Sequence, residues 1–280
     1  VLICTGMLIR AAGFAAMAAA ETFWPVLASA LLAAAGGAMF ESPKSAALAA
    51  FSTPQNRQRV FAAIGVISGI GVTLGTQLGA LLIRIDFAAV CLAAAAAYVI
   101  IAAVLLVLMP NIAVSSGPTG SMAGMRLALA DRAFMFYLLI LSGYWFVWTQ
   151  FSISVALAAT AITGSDGAVA WMYAVNSVIT VSAGYLLPRF LERWLSPLGL
   201  LIAGTGTIAI GLGLIAFADG YPVLLVAAGV FAIGAVLARP GEQTVTANLA
   251  SPQARGTYFG VAALSLALGG SLGNYLGGAF

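Results

Sequence analysis

The side chains that could do chemistry in this chain are few. It holds 8 acids, 11 bases, two cysteines and no histidine in 280 residues. Gly269-Gly-Ser271-Leu-Gly273 matches the GxSxG nucleophile pattern. That pattern needs a strand-to-helix elbow and a base, and without histidine no Ser-His-Asp triad can form. No metal-ligand spacing or phosphate-binding loop appears, so the expectation is a non-enzyme that needs no cofactor and no metal. Two kinds of group remain. Glu41, Lys44, Arg57, Arg189, Arg193 and Arg255, with Glu192, Arg239 and Glu242, sit where apolar runs lapse and can form and break ion pairs there. Tyr144, Trp148 and Gln150, then Asn176 and Gln77, are aromatic and uncharged polar groups inside apolar runs, suited to a cavity for lipophilic or cationic small molecules or to bonds between helices. Arg10 is the one charge deep in a run; it serves either a function or a structural pairing with a carbonyl or an acid.

The elements that position these groups follow from composition. The chain is 62% hydrophobic and 7% charged, against about 25% charged in soluble domains. Its solvent is therefore lipid. Apolar runs of membrane-crossing length fall at 1–20, 23–40, 60–83, 87–109, 134–160, 168–190, 198–218, 223–238 and 256–280, nine expected spans. They must be helices, because an unpaired backbone amide in hydrocarbon costs several kcal/mol and the runs lack barrel alternation. Alternate connections collect Lys44, Arg57 and Arg59, then Arg126 and Arg132, Arg189 and Arg193, Arg239 and Arg255. The intervening ones carry Glu21, Asp86, Asp166 and Asp219, with Arg84 as their only base. By the positive-inside rule the first set faces the cytoplasm. The net charge of +3 is thus a topology signal, and no basic patch with interleaved aromatics points to nucleic acid. Cys4 and Cys91 fall near opposite faces, so no disulfide is expected.

One stretch occurs twice. Gly37 and Pro43 recur as Gly234 and Pro240; Arg57, Phe61, Gly71, Gly75 and Gly79 recur, one residue further along, as Arg255, Phe259, Gly269, Gly273 and Gly277. Internal repeats of this length in an apolar chain mark transporters built from two related halves. The copies stand six spans apart, an even number, so the halves are parallel. If each half has six helices, residues 1–109 are the last four of the first half and 134–280 the first five of the second. Residues 110–133, rich in Pro, Gly and Ser, form the expected cytoplasmic linker, its end a short surface helix. The expectation is a fragment of a twelve-helix protein, because the chain starts without Met inside one apolar run and stops inside another. Gly71, Gly75 and Gly79, like Gly269, Gly273 and Gly277, share one helix face that another backbone can approach closely.

TGMLIRAAGF, MFESPKSA, STPQNRQR, WMYAVNS and the stretch from ARPGEQT to GTYFG resemble the major facilitator superfamily, and within it bacterial multidrug exporters, over essentially the whole chain. The resemblance implies family helices three to eleven, a monomer in the bacterial inner membrane, and alternating-access efflux of small lipophilic molecules driven by the proton gradient. The alternative is a carrier on the same fold for a sugar, amino acid or other metabolite; a membrane hydrolase or an inactive truncated product ranks lower. Gly71-x-x-x-Gly75-Thr76-x-x-Gly79-Ala80 resembles the fifth-helix antiporter motif GxxxGPxxGG, with Thr76 for Pro and Ala80 for Gly. Gly184-Tyr-Leu-Leu-Pro188-Arg189-Phe-Leu-Glu192-Arg193 resembles a decayed copy of the loop motif GxLaDrxGrk. The resemblance places cavity walls at 23–40, 134–160 and 223–238. Leu32 stands where many antiporters of the superfamily carry an arginine. With no acid expected deep in a span, the proton-coupling group is expected before Val1.

Overall fold

The computed structural model describes residues 2–108, 121–164 and 167–279, and every regular element among them is a helix. In chain order these are α1 (Leu2–Ala18), α2 (Phe23–Phe51), α3 (Arg57–Leu82), α4 (Phe87–Leu108), α5 (Ser121–Ala130), α6 (Arg132–Gln150), α7 (Ala156–Thr163), α8 (Gly167–Ala183), α9 (Leu186–Leu191), α10 (Pro197–Ile215), α11 (Tyr221–Leu249) and α12 (Arg255–Ala279). Residues 110–120 of the expected linker, Asp166 and the side chains of Thr76 and Ala80 lie outside the described residues. Seven stretches are long and apolar enough to cross a membrane, one of them running from Arg132 through α7 to Thr163, and α1 and α8 are shorter apolar helices. The chain is a multi-pass membrane protein. Each helix satisfies its own backbone, the condition that hydrocarbon imposes.

Two helices run past the point where hydropathy lapses. The spans expected at 23–40 and 223–238 extend to Phe51 and Leu249, so the stretches 41–59 and 239–255 shrink as connections to 52–56 and 250–254. Pro43 and Pro240 sit inside α2 and α11. An interior proline removes one backbone donor and normally bends or breaks a helix. In α11 the following turn is braced from its side chains: Thr244 Oγ1 donates to the Pro240 carbonyl at 2.7 Å and Thr246 Oγ1 to the Glu242 carbonyl at 2.9 Å. Hydropathy alone does not register this bracing.

At the start of α6, Asp131 caps the helix by accepting from Phe134 N at 3.1 Å, and the Tyr258 hydroxyl donates to its other oxygen at 3.1 Å. That carboxylate ties α6 to α12, over the contact of the Phe134 and Tyr258 rings at 4.5 Å. Between α6 and α7 the chain makes one wide π turn, Phe151–Val155. Such turns interrupt helical register and are frequent at functional sites. Phe151 projects from it to stack on Phe231 at 4.6 Å. The helix then stops at Gly164, whose φ of 64° is the left-handed cap that glycine adopts without strain.

The chain divides into two compact units, Val1–Ala47 with Val72–Pro118 and Leu48–Gly71 with Thr119–Phe280; the division runs through α2 and α3. In the first, α1 packs on α4, with Phe14 and Tyr98 stacked at 5.8 Å, and α1 meets α2 at glycines. A Cβ on Gly36 would lie 2.5 Å from Arg10 N and one on Gly13 2.6 Å from Ala33 N. Cys4 and Cys91 are buried free thiols in this unit. In the second, α10 lies along α11 and α6 along α12. A Cβ on Gly234 would fall 2.6 Å from Ile208 N. Lipid tails are as apolar as leucine, so close backbone approach of this kind is a main source of helix association in a membrane.

Candidate functional site

Two polar clusters lie in the second unit. The first gathers at the N-termini of α3 and α12, where the repeat duplicates an arginine. Arg57 is 4% exposed, a full cation out of water. Its Nη1 donates to Asn248 Oδ1 at 2.5 Å, Nε to Ser52 Oγ at 3.2 Å, and Nη2 to the carbonyls of Ala49 at 3.2 Å and Ser52 at 3.5 Å. All four acceptors are neutral. The Ala49 and Ser52 carbonyls belong to the C-terminus of α2, where the helix dipole favours a cation. Arg255, its counterpart, lies within electrostatic reach, and its Nε is buried without a hydrogen-bond partner. Two like charges held this close are a costly arrangement that Asn248 and the α2 carbonyls offset. Beside them Arg59 Nε donates to Glu192 Oε1 at 2.6 Å, an ion pair from α3 to the turn after α9. Close packing underlies it: a Cβ on Gly69 would meet the Thr180 methyl at 2.8 Å and one on Gly184 would meet Val66 at 2.9 Å.

The second cluster surrounds Glu242, which lies within α11 and is 7% exposed, not in a loop. Arg239 Nη1 stands 3.4 Å from its Oε2, and the same guanidinium sits over the Trp145 ring at 4.8 Å. The Glu242 carbonyl accepts from Tyr137 Oη at 3.0 Å as well as from Thr246, and those two hydroxyls are 3.1 Å apart. Tyr144 is 3% exposed, and its hydroxyl, in electrostatic reach of Arg239 and Glu242, has no hydrogen-bond partner. An acid, a guanidinium and an unpaired phenol thus share the contact of α6 with α11. Charge count and hydropathy placed Glu242 among connection residues; the preceding Pro240 and the lapse in apolar residues disguise a helix interior.

The expected site residues fall as follows. Tyr144, Trp148 and Gln150 do not line one surface. Tyr144 points inward; Trp148 is 36% exposed and packs edge-on against Trp145 at 5.5 Å. Gln150 donates to the Gly273 carbonyl at 2.9 Å and accepts from Ser154 at 2.8 Å, which makes it a bond between α6 and α12. Asn176 is half-buried on α8 and Gln77 exposed on α3. Gly269, Gly273 and Gly277 face α6: a Cβ on Gly273 would lie 2.8 Å from the Phe146 carbonyl, and one on Gly277 would collide with Gln150. Gly71, Gly75 and Gly79 would meet no described atom within 4 Å. Arg10 lies over the Tyr98 ring at 5.1 Å with its Nε buried and unbonded. Lys44 pairs with Glu41 at 2.5 Å on an exposed turn of α2. Arg189 donates to the Tyr185 hydroxyl at 3.2 Å, and with Arg193 it lines an open groove of about 590 Å³ floored by Leu186 and Phe190. Among the described residues no three His, Cys, Asp or Glu side chains gather as a metal site.

The family model described as Major Facilitator Superfamily matches residues 1–274. "Multidrug resistance protein MdtH" of Aeromonas salmonicida is 37% identical over 277 residues, 99% of this chain and 70% of the relative. The protein of the same name from Escherichia coli O1:K1 / APEC is 34% identical over 99% of this chain and 69% of its own length. Two crystal structures share the fold: the human organic anion transporter MFSD10 (TETRAN), with a TM-score of 0.72 at 19% identity over 99% of this chain and 71% of that one, and FucP in the outward conformation, with 0.71 at 17% over 98% and 74%.

Proposed function

Since the chain belongs to the major facilitator superfamily and is a transporter by that membership, we propose that it exports drugs or other small lipophilic molecules across the bacterial inner membrane in exchange for protons. The observation that carries this reading is the match, along 99% of the chain, to relatives named multidrug resistance proteins. The energy comes from the proton gradient, with no cofactor, and the working unit is a monomer. Residues 1–109 supply the last four helices of the first half and 134–280 the first five of the second, joined by 110–133. The cluster of Arg57, Asn248 and Arg255 and the pair Arg59–Glu192 lie on the cytoplasmic side. Neutral hydrogen bonds and one partly solvated ion pair can be broken and remade at moderate cost, as a gate between states requires. Arg189 and Arg193 are further solvated charges of the same unit, and Glu41 and Lys44 pair with each other in the first unit. The π turn next to Gln150 gives the α6–α7 span a point at which to flex. Trp148, partly exposed beside the buried Trp145, offers an aromatic surface suited to flat or cationic apolar molecules, with Asn176 of the same unit as a further polar candidate; Gln77 is an exposed polar group of the first unit.

Everted vesicles from cells that overproduce the protein provide the test. An imposed pH gradient, acidic inside, should drive accumulation of tetraphenylphosphonium, and dissipating the gradient should release it. Gradient-driven uptake of a labelled sugar or amino acid, with none of the lipophilic cation, would replace the exporter reading with a metabolite carrier.

A further inference from the structure

Glu242 is a carboxylate that its surroundings only half compensate. Removing a carboxylate from water costs several kcal/mol even after relaxation, and a partner repays this only with good geometry. The partner here is Arg239, at 3.4 Å on the same helix, with its side chain 45% exposed and its face committed to Trp145. Such a contact is long and partly screened by solvent. The other cations on the elements packed against α11 are engaged elsewhere or, like Arg132 at the first residue of α6, exposed to solvent. From α6 come Tyr137, whose hydroxyl is engaged by the Glu242 carbonyl and Thr246, and Tyr144, whose hydroxyl is free. Helix α10 contains no titratable residue. Tyr173 of α8 packs on Phe151, Arg189 of α9 on Tyr185, and on α12 Tyr258 is bound to Asp131 while Arg255 stands by Arg57. Because Arg239 and Glu242 are one turn apart in a single helix, their pair holds no two elements together. A purely structural role would leave that burial cost without a return.

We propose that the Glu242 carboxyl is a proton-exchanging site of this transporter. Loading adds a proton from hydronium to a carboxylate oxygen, leaving a neutral acid and water. Arg239 keeps its charge and leans on the Trp145 face, while the acid hydroxyl and the unpaired Tyr144 hydroxyl supply neutral hydrogen-bonding groups in the buried space. Release returns the proton to water along the exposed side of Arg239, and the carboxylate pairs with the guanidinium again. This deepens the exporter reading and rests on it for the purpose of the proton, although the site itself can be measured apart from export.

Infrared difference spectroscopy on the full chain in detergent, stepped between alkaline and acidic buffer, tests it. The expected result is a protonated-carboxyl band on acidification that Glu242→Gln abolishes and Glu242→Asp retains at a shifted frequency, with circular dichroism unchanged. If Glu242→Gln does not fold, the Glu242→Asp shift decides. A band identical in these variants and in wild type, or no such band in folded wild type, overturns the proposal. Adding tetraphenylphosphonium to the weakly buffered protein reads the other claim: wild type releases protons and Glu242→Gln does not. Release absent from wild type while the carboxyl band is present would refute the exporter reading and leave the proton site standing.

Discussion

Asn248→Leu removes a single acceptor from the Arg57 cluster, and its consequence can be estimated. Arg57 keeps its bonds to Ser52 and Ala49 and loses only the 2.5 Å contact to Asn248 Oδ1. That contact joins the first copy of the repeat to the second. A hydrogen bond to a charged group is worth about 1.5–3 kcal/mol; Asn248 is itself exposed, which places it at or just below the low end. About 1.4 kcal/mol is a tenfold change in an equilibrium. If the cluster opens and closes, its open population should therefore rise about tenfold. Ser52, 8% exposed beneath the guanidinium, is the place to measure this. In a Ser52→Cys background the rate of maleimide labelling reports opening, because Cys4 and Cys91 are buried. Adding Asn248→Leu should accelerate labelling about tenfold, and adding Asn248→Asp, which turns the bond into an ion pair, should slow it. Labelling unchanged within about twofold by Asn248→Leu would show that the contact contributes nothing to closure and would remove this cluster from the gate.

Further outcomes follow from packing and capping. Gly273→Leu drives a side chain into the Phe146 carbonyl and Gln150, so it should abolish stable accumulation in the membrane, whereas Gly75→Leu meets no described neighbour and should insert normally while abolishing transport. Immunoblots and transport assays on the two variants separate these effects, and near-normal transport by Gly75→Leu would leave that face a passive role. Asp131→Ala removes the α6 cap and the partner of Tyr258 together, and should destabilise the protein by about 1–2 kcal/mol, measured as a lower thermal midpoint in detergent. Tyr137→Phe removes one of two donors to the Glu242 carbonyl and should cost about 1 kcal/mol by the same measurement, since Thr246 remains bonded there.

The helical, multi-span character was legible because hydrocarbon length and backbone satisfaction leave little freedom: seven stretches are of spanning length, while the runs expected at 1–20 and 168–190 hold shorter apolar helices and the one at 134–160 is divided by a π turn. Helix ends were less legible. Glu-Ser-Pro-Lys in α2 and Arg-Pro-Gly-Glu in α11 look like connections by hydropathy, yet hydroxyl bonds and neighbouring helices carry α11 a further three turns. The same effect hid Glu242. The duplicated Arg57 and Arg255 stood out by repetition, but their neutral partner Asn248 has no signature of its own. The directions of Tyr144, Trp148 and Gln150 depend on which neighbours surround α6 and on the π turn after it. Helical spacing gives relative angles only, and Gln150 was already claimed by a carbonyl that the glycine face of α12 brings near.

The account depends on two copies of one unit entering the bilayer the same way round. Gln55 and Gln253 occupy the short connections after α2 and α11 and are exposed. Single cysteines at these positions, treated with a membrane-impermeant maleimide, should both be silent in intact cells and both react in everted vesicles. Reaction of one from outside and the other from inside would contradict the parallel repeat, and with it the carrier built on that repeat.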